Sequence, residues 1–124
     1  MATTEIIDQD AFDRFFDSLG GDAEFLSELV QAYLDSSPGL FVSMQQAIAS
    51  GDAPTLQRAA HSLKTGSANF GALEFAAQCK ELEGIGKTGA LDNAKDKYSQ
   101  LEAAYTKVAA ALQARVQSAR SAPA

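Results

Sequence analysis

Tryptophan is absent from the 124 residues, and cysteine and histidine occur once each, as Cys79 and His61. A single cysteine excludes an intramolecular disulfide, and no CxxC or His/Cys cluster exists to hold zinc. Positive charge is also scarce: ten Lys and Arg stand against sixteen Asp and Glu, a formal net charge of −6. That balance excludes a general nucleic-acid binder, because a phosphate backbone demands a basic surface. No run approaches the roughly 20 apolar residues that span a bilayer, so no membrane association is expected. The opening MATTEIIDQDAF lacks the basic n-region and apolar stretch of a secretory signal. A reducing, cytoplasmic setting is the expectation. Period-two alternation, internal repeats and low-complexity tracts are missing too, which removes β architectures and repeat arrays.

What is present is helical periodicity in a length that fits one domain with one continuous core. Phe12, Phe15, Phe16 and Leu19 give a short first helix an aromatic face, capped by Asp8 or Asp10 and ended by Gly20-Gly21. Asp22 caps a longer segment with Phe25, Leu26, Leu29, Val30, Tyr33 and Leu34 on one side. Pro38 interrupts that segment, yet Phe41, Met44 and Ile48 resume in phase, so one kinked helix is expected. Ser50-Gly51-Asp52 makes a turn and a cap, and Pro54 fits the first turn of the next helix. That third helix carries Leu56, Ala60, Leu63, Ser67 and Phe70 on one stripe and ends at Asn69 to Gly71. The fourth carries Ala72, Phe75, Cys79 and Leu82 and is expected to stop at the glycines of GIGKTG. Leu91, Ala94, Tyr98, Leu101, Tyr105, Val108 and Leu112 mark a regular fifth segment. The small, polar residues beyond Val116 read as a frayed end.

The predicted fold is all-α: an antiparallel four-helix bundle with a short N-terminal helix packed over one end. Residues 1–120 form the single domain and 121–124 its frayed tail.

The third helix holds the only histidine. At about 100° per residue, its apolar stripe spans roughly 40° either side of a common line, and His61 lies about 140° away. Its neighbours one turn off are Gln57, Arg58, Lys64 and Thr65, with Ala68 further along and no large apolar residue among them. A lone surface histidine is ordinarily only a surface residue. A metal site lacks a second ligand at helical spacing, and Ser62 points about 100° away, so no hydrolase pair forms. A solvent-facing imidazole beside fixed cations suits carrying an anion.

HSLKTGSANFGA followed by LEFAAQCKELE resembles the histidine-containing phosphotransfer (HPt) domain of bacterial multistep phosphorelays. The likeness rests on His61, Lys64, Gly66, Ser67, Ala68 and Gly71, with Cys79 and the Leu82-Glu83 pair downstream. The helix order, FLSELVQAYL and the kinking-proline region extend it over essentially the full length. One position departs: the residue after Lys64, usually glycine in the family, is Thr65, with Gly66 next.

The resemblance implies that His61 accepts a phosphoryl group on Nε2 from a receiver-domain phospho-aspartate and passes it to another receiver. Lys64 would neutralise the phosphoryl oxygens, and the Thr65 hydroxyl would hydrogen-bond one of them. Gln57, Arg58, Gly66 and Ala68 would meet the partner, a receiver domain of a response regulator or hybrid sensor kinase. The chain would be a monomeric phosphohistidine carrier and not an enzyme, with no cofactor or metal of its own and Mg²⁺ held by the receiver. No Walker-type loop is present for ATP. The competing reading is a helical docking module that binds a receiver or kinase without carrying phosphate. Lys80, Glu83 and Lys87 read equally as docking edge or solvated surface, and Phe12, Phe15 and Phe16 as core or apolar docking patch. A chain opening on Met1 is expected to be free-standing.

Overall fold

The computed structural model describes residues 6–121, and among them every regular element is helical. In chain order these are α1 (Gln9–Ser18), α2 (Ala23–Ser50), α3 (Ala53–Asn69), α4 (Leu73–Thr88) and α5 (Ala94–Ser121), with a 3₁₀ turn at Leu91–Asn93 leading into α5. Helices α2, α3, α4 and α5 pack in a closed ring, each against the next and α5 back against α2. The fold is therefore the predicted all-α bundle, with α1 at one end.

Local chemistry accounts for the boundaries. The Asp8 side chain accepts from Ala11 N, and Asp22 accepts from Glu24 N and Phe25 N. Asp52 accepts from Thr55 N at 3.3 Å and from its hydroxyl at 2.7 Å. Each carboxylate satisfies amides that a helix start would otherwise leave unpaired. Gly71 has φ +85 and its carbonyl accepts from Asp8 N at 2.8 Å. A Cβ there would lie 2.9 Å from Asp8 O and 3.0 Å from Phe12 N. One glycine thus turns the chain between α3 and α4 and seats the start of α1.

Leu26, Met44, Leu56, Leu63, Leu82, Leu101 and Leu112 are fully buried, and the whole predicted stripe of α3 faces this core. Tyr33, Phe41, Phe75 and Tyr105 form an aromatic cluster at its centre, with Phe41 and Tyr105 edge-on at 5.0 Å. Arg115 lies 5.2 Å over the Phe12 ring and joins α5 to α1.

Helix α2 runs as one helix through Pro38, as the resumed spacing predicts, and the Ser36 and Ser37 hydroxyls both donate to the Tyr33 carbonyl. Three expectations change. Phe25, expected on the apolar side, is exposed because it occupies the first turn, before α2 enters the bundle. Helix α5 continues past Val116 to Ser121, where Arg120 pairs with Glu24 at 3.1 Å; the rest of the expected tail lies outside the described residues. Helix α4 does not stop at the first glycines but runs through Gly84 and Gly86 to Thr88, ended by Gly89 at φ +76. Gly86 is there for space: a Cβ would meet Gln57 N at 2.7 Å and Ala53 O at 2.9 Å. The backbones of α3 and α4 touch at this point, which outweighs glycine's poor helix propensity.

Candidate functional site

The close crossing of α3 and α4 sets the geometry around His61. With Leu56, Ala60, Leu63 and Ser67 committed to the core, His61 projects outward with its side chain 57% exposed. One turn back from Gly86, Glu83 comes off α4 beneath it and is buried. Its Oε2 lies 2.8 Å from His61 Nδ1, and its Oε1 accepts from Lys64 Nζ at 2.6 Å. A single carboxylate therefore binds both residues that the sequence singles out.

The hydrogen bond from Lys64, aided by that from His61, holds the Glu83 carboxyl below the ordinary glutamate range against the opposing effect of burial. An ionised carboxylate only accepts, so Nδ1 must carry the proton toward Glu83. That fixes the tautomer in which Nε2 keeps its lone pair, on a side chain that is mostly exposed.

The remaining predicted site residues fall around this unit. Gln57 and Arg58 lie one turn before His61 and, with Ser62, Glu83 and Lys87, line an open cavity of about 420 Å³ beside it. Ala68 is exposed, whereas Gly66 is half-buried against Tyr33, whose Cδ1 would be 3.3 Å from a Cβ at that position. Next to it Ser67 donates to Leu63 O at 2.7 Å, so the 2.6 Å bond between Ser67 and Tyr33 must be donated by the phenol. Burial, opposed by that hydrogen bond, keeps the Tyr33 phenol protonated well beyond neutral pH. On the α2 side of α3, Phe15, Leu29, Leu40, Ser62 and Gly66 border a second groove of about 280 Å³.

Two sequence-based roles do not match these positions. Lys64 is no free surface charge: it is about one quarter exposed and bound to Glu83. Thr65 turns its hydroxyl inward to the His61 carbonyl at 3.0 Å, because a helical threonine finds the carbonyl four residues back more easily than any group outside the helix. Of the aromatic trio, Phe12 is buried while Phe15 and Phe16 are half-buried. The Cys79 thiol is fully buried and pushed up to about 12 by that burial, so it is inert. Among the described residues no His/Cys/Asp/Glu cluster could hold a metal, and no helix is long and apolar enough to cross a membrane.

Glu83 is the residue whose role sequence reasoning missed. The signal was its spacing: four after Cys79 and three before Gly86, it sits at the edge of the apolar stripe of α4. A carboxylate at such a position must find a partner.

The family model described as Hpt domain matches residues 28–111, which span α3, α4 and most of α2 and α5. The chain belongs to the Hpt domain family. Among solved structures, the crystal structure of histidine-containing phosphotransfer protein B (HptB) from Pseudomonas aeruginosa PAO1 is similar, with a TM-score of 0.82. The two are 28% identical, over 93% of this chain and 97% of that one. No curated relative matches the chain. Membership places this Hpt domain among phosphocarriers, with a histidine phosphotransfer role in phosphorelays and an interaction with receiver domains of two-component systems.

Proposed function

We propose that His61 is the phosphoacceptor, taking a phosphoryl group from the phospho-aspartate of one receiver domain and passing it to another. The observation that carries this reading is the bond between Nδ1 of the exposed imidazole and the buried Glu83 carboxylate at 2.8 Å. The Nε2 lone pair attacks phosphorus, a P–N bond forms, the acyl O–P bond breaks, and the receiver aspartate leaves as a free carboxylate. Positive charge grows on the ring during attack, and the carboxylate on Nδ1–H stabilises it in place. In the reverse sense an aspartate of the second receiver attacks phosphorus and the imidazole departs neutral. Mg²⁺ is assigned to the receiver, in keeping with the dependence of phosphoryl transfer on charge neutralisation. The groove bordered by Phe15, Leu29 and Leu40 gives a receiver an apolar contact beside the histidine, with Gly66 and Ala68 leaving clearance. The reading takes the domain as a monomer acting in the cytoplasm, where receivers are met.

The test is to mix the protein with a phosphorylated receiver or hybrid kinase. Acid-labile label is expected on the wild type and none on a folded His61→Gln variant. Binding of a receiver without any label on the wild type would instead establish the docking module.

A further inference from the structure

Away from His61, the seam between α4 and α5 holds a cavity of about 390 Å³. Its α4 wall is Glu74, Phe75 and Gln78, and its α5 wall includes Ala103, Ala104, Lys107 and Val108. At about 100° per residue, Gln78 and Glu74 lie about 140° and 180° around α4 from Glu83. The cavity therefore shares no wall with the histidine site.

Among the described residues, three of these side chains have no partner. Gln78 Oε1 is buried and accepts no hydrogen bond. Turning the amide over would exchange an unmet acceptor for an unmet donor, so the deficit belongs to the position. Glu74 on one helix and Lys107 on the other make no ion pair, with each other or with any described residue. Further along the same seam the two helices do join such charges, where Lys97 meets Glu81 at 2.7 Å. Here α5 presents two alanines instead, and the space they leave is floored by the buried Phe75 and Val108.

We propose that this cavity is a binding site for a free α-amino acid with an apolar side chain. An anion alone would face Glu74, a cation alone would face Lys107, and a wholly apolar molecule would leave Gln78 unmet. A zwitterion satisfies all three. Its carboxylate meets Lys107, its ammonium meets Glu74 and donates to Gln78 Oε1, and its side chain lies over Phe75 and Val108. The volume falls near the lower end of the range for small-molecule sites, a size suited to one amino acid. The site stands independently of the role of His61.

¹H–¹⁵N spectra of the whole chain, recorded as L-leucine is added, test this. The Gln78 side-chain amide and the backbone amides of Ala104 and Lys107 should shift and saturate with a Kd of about 1 mM, as expected for so few ligand atoms in an open cleft. Isoamylamine and isocaproate, which are leucine without its carboxylate and without its ammonium, should each bind about tenfold more weakly. Gln78→Leu should weaken leucine binding about tenfold without lowering the urea midpoint, because it removes an unmet acceptor. Ala104→Leu fills the cavity and should abolish the response, with circular dichroism checking that the variant is folded. No saturable shift with leucine, valine or phenylalanine would overturn the proposal. So would equal binding of the amine or the acid, or an undiminished response in folded Ala104→Leu. His61 would keep its proposed role in each case.

Discussion

Helix α3 carries two polar hydrogen-bonded sets on opposite faces, made from similar groups and put to different uses. On the inner face Tyr33 donates to Ser67, which donates to Leu63 O, and all of it is buried. On the outer face Lys64 and His61 share Glu83, and only the carboxylate is buried. The inner set is neutral and closed, with every proton committed, so it fixes where α3 sits against α2. The outer set is charged and left open at one atom, Nε2. Burial closes the inner set and leaves the outer one open to solvent.

The sharpest way to break that contrast is to part the helices. Gly86→Val would push a branched side chain into Gln57 N, at 2.7 Å even for its first carbon. It should cost about 3 kcal/mol in urea unfolding and also slow labelling of His61, because Glu83 leaves with α4. Glu83→Gln touches the outer face alone. Labelling should fall about tenfold, the typical cost of losing a partner that orients a reactive imidazole, with the ring ¹⁵N signals showing mixed tautomers. Tyr33→Phe touches the inner face alone: loss of about 1 kcal/mol by denaturation, with labelling of His61 unchanged.

The smallest effect distinguishes the charged set from the neutral one by pH. Because Lys64 holds Glu83 below its ordinary range, the pair stabilises the fold fully above the free glutamate pKa of about 4.3 and loses that contribution as pH falls through the lower folded value. Lys64→Ala should cost somewhat under 1 kcal/mol at neutral pH and nothing once Glu83 is protonated in both proteins, flattening the acid limb of the stability profile. The Tyr33→Phe deficit should stay constant over that range.

Much of this molecule was legible because helical periodicity is local. The stripe of Leu56, Ala60, Leu63, Ser67 and Phe70 is read correctly from spacing alone, and it puts His61 on the outer face. What was not legible is what other helices bring to that face. Nothing in the sequence near His61 reveals a carboxylate 22 residues away. The resemblance implies outward roles for Lys64 and Thr65, and a wheel gives direction without partners; in the structure Lys64 bonds Glu83 and the Thr65 hydroxyl bonds the His61 carbonyl. Gly84 and Gly86 suggest a helix end, since glycine disfavours helix, until the neighbouring backbone explains why Gly86 must lack a side chain.

The crossing at Gly86 also makes reactivity conditional on assembly. An unfolded or partly folded chain has the same histidine, but its imidazole exchanges freely between tautomers and has no carboxylate on Nδ1. Only after α4 has docked on α3 is the Nδ1 proton held and the tautomer fixed. With His61 as the proposed phosphoacceptor, immature or locally opened copies would then react more slowly than folded ones, because the contact that completes the bundle is also the contact that orients the histidine.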